Sequence, residues 1–245
     1  SGLLELRNVT KVFGGGIFSK NRTTALEDLS FTLDTDQSSI TSIVGESGSG
    51  KTTVARLLLG MIAPTKGHIF YKGNDVAEMS RVERKEFRRE VQPIFQDPFE
   101  VFNPFYKVDH VLKVPISKFK LASSEGEERS IINDALEMVG LRPDETLGRY
   151  PHQLSGGQRQ RIMVARSLLL KPRVILADEP VSMVDASLRA TILESIHKLN
   201  RELGISILYI THDLTTAYQI SDNILVLYRG SVAEVGSVDA VIKDP

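Results

Sequence analysis

Gly45-Glu46-Ser47-Gly48-Ser49-Gly50-Lys51-Thr52 is the stretch that decides the fold of this 245-residue chain. Its glycines allow the backbone to curl so that consecutive N–H groups face a chain of phosphates. Lys51 places a positive charge at the β- and γ-phosphates, and the Thr52 hydroxyl is a ligand for Mg²⁺. The pattern is that of a phosphate-binding P-loop, and we predict that residues Gly45 to Thr53 bind ATP.

The flanking sequence supplies the elements that a P-loop requires. Ile40–Val44 is an apolar run typical of a buried strand, and it leads directly into the loop. Val54, Ala55 and Leu58 follow at the spacing of a buried helix, whose N-terminus favours an anion. This context weighs against the alternative of an ordinary Gly/Ser-rich turn with a solvated lysine.

Two adjacent carboxylates follow a second apolar run. Val174–Ala177 is too short for a helix and indicates a buried strand, with Asp178 and Glu179 at its carboxyl end. Asp178 is predicted to hold Mg²⁺, directly or through water, and Glu179 to orient and deprotonate the attacking water. In isolation such a pair more often belongs to a solvated turn, but the P-loop upstream reverses that preference.

A third motif, Leu154-Ser155-Gly156-Gly157-Gln158, precedes a predicted helix that runs from Arg159 to Leu170. Ser155 is a favourable N-cap, and two glycines at a helix start expose backbone N–H groups to a ligand. The motif therefore predicts a second anion site, far along the chain from the first. The alternative is an ordinary N-cap beside a flexible turn, and these residues alone are equally compatible with it.

Strand and helix patterns alternate on both sides of a helix-rich segment. That segment runs from about Ser80 to Leu170 and carries predicted capping boxes at Ser80/Glu83 and Ser124/Glu127. We predict an α/β fold: a P-loop NTPase core with a mainly parallel sheet, an N-terminal antiparallel β part and an inserted helical subdomain. The expected boundaries are a single domain over 1–245, with the core at 1–96 and 171–245 and the helical subdomain at 97–170. The other predicted elements are strands at Leu4–Leu6, Leu29–Leu33, Ile205–Ile210 and Ile224–Tyr228, and a helix at Leu214–Ile220. A further helix is predicted from its apolar face, which consists of Leu188, Ile192, Ile196, Leu199 and Leu203.

Composition narrows the classes of function. Cysteine is absent, which excludes disulfides, thiol catalysis and thiolate metal sites. The net charge is −1, so the bulk charge does not indicate a nucleic-acid surface. No run approaches the roughly 18 apolar residues that a membrane span needs, and we expect any membrane role to come through a partner.

The three motifs together resemble those of a known family. Gly45–Thr52, Leu154–Gln158 and Asp178-Glu179 are similar, in order and spacing, to the Walker A, signature and Walker B motifs of ABC-transporter ATPases. P-loops occur in many ATPases, but a Ser-Gly-Gly-Gln signature between the two Walker motifs is highly specific to this family. The resemblance covers the chain from Leu3 to Pro245.

The resemblance implies further roles. Gln96 would touch Mg²⁺ or the attacking water, and His212 would contact the γ-phosphate. Asp185 would help to join two subunits, and Phe13 would stack on adenine. A histidine at a strand end is usually structural, and Phe13 has the alternative of a plain core aromatic.

The same resemblance implies the partners and the location. Two ATPase subunits, identical or homologous, would face each other head to tail, so that ATP on the P-loop of one meets Ser155, Gly156, Gly157 and Gln158 of the other. They would energise two transmembrane permease subunits at the cytoplasmic face of the membrane, and serve an extracytoplasmic substrate-binding protein indirectly. No nucleic-acid partner is expected.

Short segments resemble importers of oligopeptides and dipeptides more than other ABC proteins; that group also includes importers of nickel and oligosaccharides. The segments are Ile94–Pro98, Asn103-Pro104, Arg149–His152, Asp178–Ser182 and Tyr228–Gly230. The alternatives are a soluble ABC ATPase that acts on DNA or the ribosome, and a nucleotide-binding regulator. The chain has one cassette and no heptad run, which disfavours the first alternative, and Glu179 disfavours the second.

An aromatic loop in the helix-rich segment suggests a surface for the permease. Pro98 to Phe105 contains three phenylalanines and two prolines, at 98 and 104. Such a density of rings on an exposed loop would favour a docking surface. The alternative is that the rings pack inside the subdomain.

Overall fold

The computed structural model describes residues 2–17, 20–94, 102–181 and 185–238. The predicted strand–loop–helix around the P-loop is present, and strands and helices alternate after it. The strands are β1 Gly2–Gly14, β2 Arg22–Asp34, β3 Ile40–Val44, β4 Lys66–Tyr71, β5 Asn74–Asp75, β6 Val91–Ile94, β7 Val174–Asp178, β8 Ser206–Thr211, β9 Asn223–Tyr228 and β10 Ser231–Ser237. The helices are α1 Lys51–Leu58, α2 Arg81–Glu90, α3 Asp109–Lys118, α4 Glu125–Met138, α5 Pro143–Thr146, α6 Gly156–Leu169, α7 Ala186–Arg201 and α8 Leu214–Ile220.

A six-stranded, mostly parallel sheet forms the centre of the molecule. Its strand order is β10-β9-β3-β8-β7-β6, and only the edge pair β10–β9 is antiparallel. Every residue of β3 and β8 is buried, because a parallel sheet is covered on both faces. The predicted α/β class and the mainly parallel sheet are confirmed.

The N-terminal antiparallel part is also confirmed, as a four-stranded sheet with the order β2-β1-β4-β5. The strands β1 and β2 are far longer than the predicted Leu4–Leu6 and Leu29–Leu33, and irregular register shifts interrupt their pairing. Their buried leucines share one apolar core with α1 and with the inner strands of the larger sheet. The antiparallel sheet is thereby held beside the helix that follows the P-loop.

Helices α3, α4 and α6 pack around an apolar cluster of their own, which also holds Phe102. The proposed division at 97–170 remains a prediction, since its first boundary falls on Phe95 to Val101, outside the described residues. The aromatic-loop hypothesis is wrong for Phe102, which is 6% exposed. Phe105 is 86% exposed, and Phe99 lies outside the described residues.

The helix ends test the local predictions. Ser80 and Glu83 form the predicted capping box, with both reciprocal hydrogen bonds. The prediction at Ser124 is half wrong: Ser124 caps α4, but the Glu127 carboxylate accepts hydrogen bonds from Ser123 instead. Leu203 is also misplaced by the helix prediction, because α7 ends at Arg201 and leaves Leu203 exposed.

In the parts of the chain that the structure describes, no helix combines the length and the apolar composition that crossing a bilayer requires.

The contrast between the two phenylalanines gives a matched prediction. We expect Phe102→Ala to lower the free energy of unfolding by about 3–5 kcal/mol, the usual cost of truncating a buried phenylalanine. Phe105→Ala should change it by less than about 0.5 kcal/mol, because that ring is mostly in solvent. Urea unfolding followed by circular dichroism measures both, and equal effects would contradict this placement of the rings.

Candidate nucleotide-binding site

The P-loop runs from the end of β3 to the start of α1 in a conformation that requires glycine. Gly48 and Gly50 have φ angles of 82° and 102°, which non-glycine residues rarely adopt. A Cβ atom on Gly50 would also lie 2.8 Å from the carbonyl oxygen of Ala25. Gly50 is the N-cap of α1, so the glycines set both the curl of the loop and the start of the helix.

Lys51 is the first residue of α1 and is 9% exposed. Its ammonium donates hydrogen bonds to the carbonyl oxygens of Gly45 and of Glu46, the latter at 2.9 Å. Burial lowers the pKa of Lys51, while the charges of Glu179, Asp178 and Glu46 act in the opposite direction. The positive charge of the ammonium would attract an anionic ligand, whereas the nearby carboxylates of Asp178 and Glu179 would need a cation to offset their repulsion.

Asp178 and Glu179 stand at the carboxyl end of β7. Burial, followed by the nearby charge of Glu179, raises the pKa of Asp178, and Lys51 opposes the shift. Glu179 has a left-handed backbone with φ of 48°, and its N–H donates to the carbonyl of Ile210 at 2.8 Å.

His212 meets Glu179 across the sheet. It follows β8, the neighbour of β7, so both residues lie at the carboxyl edge of parallel strands, where ligands bind in open α/β sheets. The Glu179 Oε1 atom accepts a hydrogen bond from the His212 backbone N–H at 3.0 Å and lies 2.9 Å from His212 Nδ1. The two contacts fix the direction of the Glu179 carboxylate.

A cleft of about 500 Å³ joins these groups to the antiparallel sheet. It contains Phe13 from β1, which is 39% exposed, and a segment of β2, Thr23 to Ala25, that carries no recognisable sequence motif. That segment could be recognised only from the pairing of Phe13 with Thr23 across β1 and β2. The lining residues are Phe13, Thr23, Thr24, Ala25, Ser47, Gly48, Gly50, Lys51, Thr52, Thr53, Asp178, Glu179 and His212.

The signature motif lies outside this cleft, since none of residues 155–158 is among its lining. Ser155 caps α6 by accepting a hydrogen bond from the Gln158 N–H, and the Gln158 side-chain oxygen accepts one from the Ser155 N–H, which completes a capping box. A Cβ atom on Gly157 would lie 3.2 Å from Leu188 of α7. Asp185 caps α7 through a 2.8 Å hydrogen bond from the N–H of Leu188, and Gln96 lies outside the described residues.

Sequence comparison places these motifs in a known family. Residues 26–182 match the family described as ABC transporter. The chain is 40% identical to the dipeptide transport ATP-binding protein DppF of Haemophilus influenzae, over 94% of this chain and 69% of that protein. It is 37% identical to the oligopeptide transport ATP-binding protein OppF of Streptococcus mutans, over 99% of this chain and 77% of that protein.

Structural comparison agrees with the sequence. The chain superposes with a TM-score of 0.80 and 30% identity on a dimeric, post-hydrolysis ATP-binding cassette, MJ0796, bound to ADP and Pi. The match covers 96% of this chain and 98% of that one. The predicted family is confirmed, and the alternative of an ATPase acting on DNA or the ribosome finds no support. The chain belongs to the ABC transporter family, as one of its ATP-binding cassettes.

Proposed function

We propose that this chain binds and hydrolyses ATP to energise an ABC importer for peptides or related solutes. The observation that carries the proposal is the single cleft that unites the P-loop, Asp178, Glu179 and His212. The relatives named for dipeptide and oligopeptide transport support the class of cargo. The subunit would act at the cytoplasmic face of the membrane with two permease subunits and, indirectly, an extracytoplasmic binding protein.

The P-loop would hold the triphosphate through backbone and charge together. The N–H groups at the start of α1 would donate to an anion bound in the cleft, and the helix dipole favours negative charge there. On binding, the Lys51 ammonium would exchange its carbonyl partners for phosphate oxygens, which form stronger charge-assisted hydrogen bonds. Phe13 would offer its ring to the base at the far side of the cleft.

Glu179 is the residue that would accept the proton of the attacking water. Its Oε1 atom is held by His212, so Oε2 remains to orient a water toward the γ-phosphate. His212 has 60% of its side chain exposed and lines the same cleft, which would allow its ring to contact the γ-phosphate. Gln96 remains a proposed contact on sequence grounds alone.

The donor atoms in the cleft fit Mg²⁺. Across residues 2–17, 20–94, 102–181 and 185–238, no group of three or more His, Cys, Asp or Glu side chains could hold a metal. Mg²⁺ keeps several waters and prefers one or two protein oxygens together with substrate phosphates. The Thr52 hydroxyl and the Asp178 carboxylate would supply those oxygens, and bound Mg²⁺ would neutralise charge that develops on the phosphates.

We expect Asp178→Asn to abolish Mg²⁺-dependent hydrolysis and to raise the urea midpoint of the nucleotide-free protein at pH 7. Because the folded state raises the pKa of Asp178, its ionised form costs folding free energy above that pKa, and the amide removes this cost. The gain should shrink as the pH falls through the raised pKa, where the wild-type carboxyl also becomes neutral. Exposed Asp36→Asn is the control, and a lower midpoint for Asp178→Asn than for wild type would contradict the argument.

We also propose that a second cassette completes the site. The motif at residues 155–158 is well formed but lies outside the P-loop cleft of its own chain, so it would meet ATP held by a partner. The dimeric form of the related MJ0796 cassette supports this arrangement. Asp185 would lie at the same junction, because it caps the helix that packs against Gly157.

The experiment that tests the proposed function is ATP hydrolysis by the purified chain, with phosphate release measured with and without Mg²⁺. We expect Mg²⁺-dependent hydrolysis that increases when the cognate permease complex is reconstituted in vesicles. ATP binding without turnover in either condition would reduce the chain to a nucleotide-binding regulator.

A further inference from the structure

Lys11 and Phe13 project from the same face of β1, as residues two apart in a strand do. The Lys11 Nζ atom lies over the Phe13 ring, 5.2 Å from its centroid. This distance is within the range in which a cation is attracted to the face of an aromatic ring. One face of the ring therefore carries a positive charge.

The ammonium is held in this position from its other side. Lys11 Nζ donates a hydrogen bond to the carbonyl oxygen of Ala63 at 2.7 Å. Ala63 precedes a segment that is fastened to β1 next to Lys11: the Thr65 N–H donates to the Thr10 carbonyl at 2.8 Å, and the Val12 N–H donates to the Thr65 hydroxyl at 3.0 Å. The lysine therefore bridges a fixed carbonyl and the ring.

Of the two side chains, only that of Phe13 lines the nucleotide cleft. Phe13 lines it, together with the P-loop, whereas Lys11 is not among the lining residues. The ammonium can thus reach a ligand in the cleft only through the ring or through its long-range field. Without the ammonium, a ring that is 39% exposed would have fewer contacts to fix its plane.

We propose that Lys11 is a positioning residue for the base of ATP, and that it acts through Phe13. The cation fixes the plane of the ring and draws π-electron density toward its own side. The opposite face then becomes a better stacking surface for an electron-rich purine. The inference rests on the proposed function of the cleft and of Phe13 as the stacking platform.

The test compares two ligands, ATP and inorganic tripolyphosphate, by calorimetric titration of the full chain with Mg²⁺. Lys11→Met keeps the length of the side chain and removes the charge. We expect it to weaken ATP binding about two- to fivefold, the value of one exposed cation–π contact, and to leave tripolyphosphate binding unchanged. Lys11→Arg should restore the affinity for ATP, because it restores the cation.

A Phe13→Leu background decides whether the ring transmits the effect. There, Lys11→Met should have no further effect on ATP affinity, since the two changes remove one interaction. The proposal is overturned if Lys11→Met weakens both ligands equally, acts equally in both backgrounds, or leaves ATP binding unchanged. If Phe13→Leu itself leaves ATP affinity unchanged, the stacking platform and the role of Lys11 both fail. Wild-type protein that binds neither ligand would contradict the proposed function instead.

Discussion

Lys51→Met should weaken ATP binding by about 10–100-fold, the largest effect on affinity that we expect from a single side chain in this cleft. The variant removes the buried ammonium that faces Asp178 and Glu179 and keeps most of the apolar stem. The change also leaves the Gly45 and Glu46 carbonyl oxygens without their ammonium donor, so a thermal melt without nucleotide checks that the variant is folded. Fluorescent-nucleotide titration measures the loss of affinity.

Lys66 provides the control for this experiment, since it is an exposed lysine at the start of β4. Lys66→Met should bind ATP as the wild type does. If Lys51→Met also bound ATP with wild-type affinity, the assignment of the P-loop as the phosphate site would be wrong.

The second large effect is on turnover. Glu179→Gln should retain ATP binding and reduce hydrolysis by about 10²–10⁴-fold, the usual contribution of a positioned general base. The amide oxygen can still accept the hydrogen bond from the His212 backbone N–H, so the geometry should survive while the basicity is lost. Phosphate release under saturating ATP measures the change.

If two cassettes pair around ATP, Glu179→Gln should also change the association state of the protein. ATP would stay bound, and the two cassettes would remain associated because hydrolysis no longer separates them. Size-exclusion chromatography with ATP should then show a larger species than without ATP. Glu125→Gln, at the exposed start of α4, should behave like the wild type, and unchanged turnover in Glu179→Gln would remove this residue from the role of base.

Local patterns predicted much of the site. The P-loop and the Asp178-Glu179 pair each combine a buried strand with a fixed polar sequence. Such patterns involve only neighbouring residues, so they can be recognised without knowledge of the rest of the fold. Gly48 and Gly50 stand where the backbone needs positive φ, which is why the glycine spacing is informative. Ser155 caps its helix for a similarly local reason.

Elements that depend on distant partners were harder to predict. The strand β6 is four residues long and contains Pro93, and it exists because it pairs with β7, more than 80 residues away. The edge strand β10 has no regular apolar alternation and is defined by its pairing with β9. Residues 23–25 likewise line the cleft only because of the register in which β2 pairs with β1.

Phe102 and Phe105 show the same limit on single side chains. Both lie in the segment from Pro98 to Phe105, and the sequence alone gives no reason to expect one ring to be buried and the other exposed. The ring of Phe102 enters the apolar cluster of α3, α4 and α6, whereas the ring of Phe105 points to solvent. Only the packing of those helices separates a core residue from a candidate contact for a permease.

A crystal structure of Glu179→Gln with Mg²⁺ and ATP is the most direct test of the central claim, that the cleft between β1 and the carboxyl edge of the sheet is an ATP-hydrolysing site. We predict that the triphosphate lies against Gly48 to Thr52, with Lys51 on its terminal phosphates, Mg²⁺ near Thr52 and Asp178, and the base on Phe13. Electron density for the nucleotide elsewhere on the chain, with this cleft free of phosphate, would contradict the claim.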